Sequence, residues 1–140
     1  MDILNATDVR KKWSVTLDSV VHEKPVYLKR THDNIAMLNI DTLNGLLSAY
    51  HYYADTFGEE DGSVTLSAKD LDLVVNEKNE ALAKRALASE IKEYAEEYYN
   101  EFQIWSAAPN RRGHIPFVLK ALSLNEQDIE RDIICQNGRS

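Results

Sequence analysis

The chain has 140 residues, 44% hydrophobic and 28% charged, with a net charge of −7 and a pI near 5.1. That length holds one domain, or two small ones that share a core, and the balance of residues excludes a disordered polyelectrolyte. No apolar run approaches the roughly 18 residues of a membrane span, and MDILNATD lacks the basic-then-apolar pattern of a secretory signal. With Cys135 as the lone cysteine there is no internal disulfide to form, so a cytoplasmic protein with no membrane partner is expected.

In chain order, Asp2 to Asn5 reads as a short strand. Thr7 is a good N-cap for a helix predicted over 8–21, with Val9, Trp13, Leu17, Val20 and Val21 at helical spacing. Pro25 ends that helix. Residues 26–30 and 35–40 alternate apolar and polar around Thr31-His32-Asp33-Asn34, which predicts a β-hairpin. Asp41 is placed to cap a helix over 42–56, with Leu43, Leu46, Leu47, Tyr50 and Tyr53 on its apolar face. The polar, glycine-flanked stretch from Phe57 to Gly62 reads as a linker. Beyond it, 63–66 and 71–75 read as extended. A long helix is expected over 80–106, where Leu87, Ile91, Tyr94, Tyr98, Phe102 and Trp105 form a core stripe. Residues 109–113 read as a loop and 115–122 as a short helix. Ser123 and Glu126 make a capping box that opens a last helix toward Ile134.

The predicted class is α+β: a small antiparallel sheet with helices, then a second, mostly helical β/α part. The expected domains are 1–57 and 63–140.

Charge is uneven along the chain. Residues 1–40 carry six Lys/Arg against five Asp/Glu, whereas 58–140 carry ten against sixteen. In the first part Arg10, Lys11 and Lys12 follow the predicted cap at once, at the positive end of the helix dipole, where cations are unfavourable. Lys29 and Arg30 close the first hairpin strand, with His32 in the turn. A helix start offers free amides to phosphate, and arginine adds a bidentate fork. Cations that oppose the free helix would then be stabilised by DNA. Arg10→Ala is accordingly expected to leave the free chain as stable, or slightly more so. Solvated charges serving solubility are the competing explanation.

Signs of catalysis are missing. The four histidines show no metal-ligand spacing, the cysteine has no CxxC partner, and no phosphate-loop, dinucleotide, HExxH or GxSxG motif occurs. Glu93, Glu96, Glu97 and Glu101 read as a solvated helix face rather than metal ligands, because no Glu-x-x-His accompanies them. Neither a cofactor nor an enzymatic activity is expected.

The succession Asn5-Ala6-Thr7-Asp8-Val9-Arg10, then Pro25-Val26-Tyr27-Leu28-Lys29-Arg30, then Ile35-Ala36-Met37-Leu38-Asn39-Ile40-Asp41 resembles the N-terminal domain of the Phd/YefM antitoxin family. The match covers about residues 1–50. It implies a homodimeric α/β domain that binds operator DNA and represses its own operon, and a C-terminal segment that neutralises a toxin, often RNase-like. Carried over by position, the helix-start arginine is Arg10 and the strand-end basic residue is Arg30; Thr7, Lys11 and Lys29 join them on physical grounds. Residues 63–135 read instead as a folded β/α unit with a looser similarity to the HicB-like antitoxin arrangement. The alternative is a non-catalytic protein- or ligand-binding module that kept the antitoxin fold, with a pocket lined by Tyr98, Phe102 and Trp105.

Overall fold

Asn5, not Thr7, starts the first helix. Its backbone is extended, and its side-chain oxygen accepts from the Thr7 amide at 2.8 Å, so the helix begins two residues early on an equally good cap. The computed structural model describes residues 1–138. The chain divides into two compact units, Met1–Leu46 and the remainder from Leu47 onward.

The first unit runs β1 (Ile3–Asn5), α1 (Ala6–Lys11), α2 (Trp13–His22), β2 (Val26–Arg30), β3 (Asp33–Met37) and α3 (Ile40–Leu47). The single helix expected over 8–21 is therefore two. Lys12 leaves helical geometry at φ −115°, ψ 42°, and its carbonyl accepts from both the amide and the hydroxyl of Thr16 at 2.9 Å. No glycine or proline marks this break. The sheet order is β1-β2-β3. The hairpin β2–β3 is antiparallel, while β1 pairs parallel to β2 with Asn5 opposite Lys29. That small sheet is thus mixed, because α1 and α2 together make the long crossover that parallel strands need. Val9, Val20, Val26 and Leu28 form its buried core.

In the second unit, β4 (Tyr52–Gly58), β5 (Val64–Ala68) and β6 (Leu73–Glu77) make an antiparallel meander, with a 3-10 turn at Lys69–Leu71. Then come α4 (Glu80–Asn100), α5 (Phe102–Ala107), a 3-10 turn at Arg112–His114, α6 (Ile115–Leu122), α7 (Glu126–Asp132) and β7 (Ile133–Asn137). The sheet order is β6-β5-β4-β7, with β7 parallel to β4. Helices pack on one face: Tyr52, Ala54, Leu66, Ala68 and Ile133 of the sheet meet Leu87, Ile91, Ala95, Tyr98, Val118 and Ile129.

Several expectations are corrected here. The helix predicted over 42–56 stops at Leu47, because Tyr52 to Phe57 form a β-prone stretch whose burial begins on a two-residue alternation. The expected linker is the β4–β5 hairpin loop, closed by Glu59 N–H to Ser63 O at 2.9 Å and turned by Gly62 at φ +88°. Residues 47–57 consequently belong with the second unit rather than the first. The long helix breaks at Glu101. Asn125, not Ser123, caps the last helix by accepting from the Asp128 amide at 2.8 Å. That helix ends at Asp132, where the β-branched pair Ile133-Ile134 turns the chain into β7.

Candidate functional site

The five residues singled out for DNA contact are all exposed. Thr7 sits in the first turn of α1. Arg10 and Lys11 occupy its last turn, not a helix start, because α1 has six residues and ends at Lys11. Only Lys12 stands at the positive end of a helix, the start of α2. The premise that all three cations oppose one dipole is thus corrected. The β1–β2 register sets Asn5, the α1 cap, beside Lys29. Arg30 follows, with Nη2 3.9 Å from Asp33 Oδ2 across the turn, both side chains largely exposed. Such an exposed pair holds the arginine only weakly. Thr31 takes the left-handed φ of 55°, unusual for a β-branched residue, at the tip that carries these cations.

The second unit holds a denser cluster. Tyr94 on α4 lies with its hydroxyl 2.6 Å from His114 Nδ1, and His114 is buried. With the imidazole neutral, Tyr94 donates to Nδ1, and Nε2–H faces Asp72 Oδ2 at 4.0 Å. Burial pulls the His114 pKa down, with Asp72 opposing and Arg111 assisting. The Arg111 guanidinium lies 4.4 Å from the Trp105 ring centre and 5.8 Å from that of Tyr94. Its carbonyl accepts from Tyr98 at 2.8 Å. Burial raises the Tyr94 and Tyr98 phenols. Around these groups lies a cleft of about 260 Å³ lined by Leu71, Asp72, Leu73, Tyr94, Glu97, Trp105, Asn110 and Arg111. Asp72 reaches its rim from a left-handed backbone, φ 55° and ψ 38°.

Of the pocket expected from Tyr98, Phe102 and Trp105, only Trp105 lines this cleft. Tyr98 is fully buried, with Phe102 and Trp105 packed edge-on against it at 5.6 and 5.5 Å. Sequence reasoning missed Asp72, Arg111 and His114, which lie in turns, and no periodicity connects them to the α4 stripe. Elsewhere, Asp55 accepts from Gln136 and pairs with Lys69 at 2.7 Å. Asp132 joins His51 at 2.9 Å and Lys120 at 2.7 Å. These are clamps between strands, turns and helices. Burial pushes the Cys135 thiol up, away from reactivity. Among the described residues no group of three metal-ligating side chains occurs, and no helix is long and apolar enough to cross a membrane.

The chain is thus an α+β protein with two small sheets, exposed cations in its first unit and an acidic second unit, and comparison with known proteins gives its class. A family model for the PHD-like antitoxin of toxin–antitoxin, RelE/RelB, TA systems matches residues 1–135, and the chain belongs to that antitoxin family. A non-enzymatic, regulatory protein is thereby identified. The chain is similar to a crystal structure of an antitoxin part of a candidate toxin/antitoxin system from Syntrophomonas wolfei subsp. wolfei. That similarity has 32% identity, a TM-score of 0.92, and coverage of 99% of this chain and 100% of that one. No curated protein matches.

Proposed function

We propose that this antitoxin is of the Phd/YefM type and acts in the cytoplasm as a homodimeric repressor. Its first unit binds operator DNA, and its second unit, similar to the HicB-like arrangement, neutralises an RNase-like toxin. The observation that carries DNA binding is the exposed basic end of the first unit, where the register sets Lys29 beside the cap of α1 in an otherwise acidic protein. Thr7 and Lys29 flank that helix start. Among the described residues, Arg10, Lys11 and Arg30 supply cations, of which Arg30 pairs with Asp33. Their long side chains reach phosphates, and each phosphate neutralised releases counterions. A twofold dimer presents two such ends to a palindrome with half-sites about 34 Å apart.

The test is binding of Arg10→Ala and Arg30→Ala to the promoter fragment at two salt concentrations. A phosphate contact weakens all sequences alike and lowers the salt slope by about one; a base contact costs about 1–3 kcal/mol and relaxes specificity. Unchanged binding by both variants at both salts would remove these residues from the interface.

A further inference from the structure

Family membership implies a toxin partner, and the second unit has the charge to meet a basic one. Residues 58–140 hold sixteen Asp/Glu against ten Lys/Arg. Glu90, Glu93, Glu97 and Glu101 recur at three, four and four residues, which sets them along one side of α4. All four are exposed, and none takes part in an ion pair among the described residues. Glu97 lies in the last turn and Glu101 at the C-cap, with no basic residue in that turn to offset the negative end of the dipole.

A carboxylate stripe alone is an ordinary solvated helix face. This one runs into the cleft beside Tyr94. The cleft has apolar and aromatic walls, Leu71, Leu73, Tyr94 and Trp105, and two carboxylates on its rim, Asp72 and Glu97. The Asp72 side chain is 79% exposed, and its Oδ2 lies 4.0 Å from Nε2 of the buried His114. The cleft already holds one guanidinium, since Arg111 lies over Trp105. The aromatic wall thus already stacks one planar cation, and the two rim carboxylates, Asp72 and Glu97, carry more negative charge than Arg111 offsets.

We propose that this cleft and the adjoining stripe dock a basic segment of the toxin, an arginine or lysine side chain entering between Asp72 and Glu97 along the aromatic wall. This rests on the toxin-neutralising reading and adds its surface and the chemistry of its partner. The stripe steers a basic surface toward α4 over about a Debye length. The cleft then supplies the short-range contacts, carboxylate to guanidinium and cation to ring, which gain strength as water leaves.

The experiment is calorimetric titration of the full chain with the purified protein encoded by the toxin gene adjoining its own. Asp72→Asn/Glu97→Gln is expected to bind about tenfold more weakly than wild type, with the difference shrinking at high salt as charge is screened. Glu96→Gln, about 100° around the helix from Glu97, keeps wild-type affinity. In a Trp13→Phe background, which leaves Trp105 as the single tryptophan, emission shifts on complex formation. If the double variant loses its fold, judged by its thermal midpoint, Glu93→Gln/Glu97→Gln on the exposed helix face takes its place with the same thresholds. Wild-type affinity in these variants, or an unmoved Trp105 signal, overturns the docking site and leaves toxin neutralisation standing. Wild type failing to bind at all overturns neutralisation itself, and the docking site with it.

Discussion

His114 makes the stability of the second unit depend on pH. Its neutral ring is held by the Tyr94 hydroxyl, and burial lowers its pKa below the ordinary 6.5, with Asp72 and Asp70 opposing and Arg111 assisting. Between the two values the unfolded chain binds a proton that the folded chain does not. Stability is therefore lost as pH falls through 6.5, until the folded imidazole also titrates. His114→Gln should lose less of its urea midpoint than wild type between pH 7 and pH 5; an equal loss would assign the acid sensitivity to carboxylates. Lys92 acts on the same scale through hydrogen bonds. Its ammonium donates to the carbonyls of Ala121, Leu122 and Leu124 at 3.0, 3.3 and 2.7 Å, closing the C-terminal end of α6. Lys92→Met keeps the stem and strands these acceptors, which should cost about 2 kcal/mol in urea unfolding with an unchanged slope.

Among the elements, the α1–α2 break decides what the basic cluster does to the free protein. Read as one helix, the sequence sets Arg10, Lys11 and Lys12 all against the dipole. As two helices, Arg10 complements the end of α1 while Lys12 opposes the start of α2. Arg10→Ala should lower stability and Lys12→Ala raise it, each by a few tenths of a kcal/mol at low salt; shifts of the same sign would mean that the break does not separate the two dipoles. The strands β1 to β3, the helical stretch between β1 and β2, and the long α4 were legible from alternation, helical spacing and proline, but the break at Lys12 was not. The strand β4 was not, because Leu43, Leu46, Leu47, Tyr50 and Tyr53 happen to keep helical spacing across the end of α3. The Asp61-Gly62 pair between Phe57 and Val64 held the missing signal, as a hairpin turn. The exposed cations were legible residue by residue. The cleft was not, since tertiary packing alone brings Asp72 and Arg111 to Tyr94.

For the molecule as a whole, the first unit leaves several large apolar side chains exposed. Trp13, Leu17 and Val21 follow one another at four-residue spacing down α2, and all remain exposed, as do Tyr27 and Ile35 on the sheet. Patches of this kind mark an interface. A second copy is the occupant that the proposed repressor needs, and a twofold contact would repeat the same stripe on both sides. Light scattering at micromolar concentration should give twice the chain mass, and Leu17→Asp should shift the equilibrium toward monomer. Monomer at every concentration would remove the dimer and, with it, the palindrome.

The pairing of β7 with β4 has a consequence in time. Ile133 meets Tyr52, about 80 residues back along the chain. At roughly 5–20 residues per second, a ribosome takes about 4–16 s to travel from one to the other. Throughout that interval the first unit is fully synthesised, whereas β4 carries a bare backbone edge on the side β7 will cover. In the proposed dimer, a nascent chain would thus meet its second copy before it finishes its own second sheet. Any chain cut after Asp132 stays in that unfinished condition, with an unpaired strand edge open to aggregation and proteolysis.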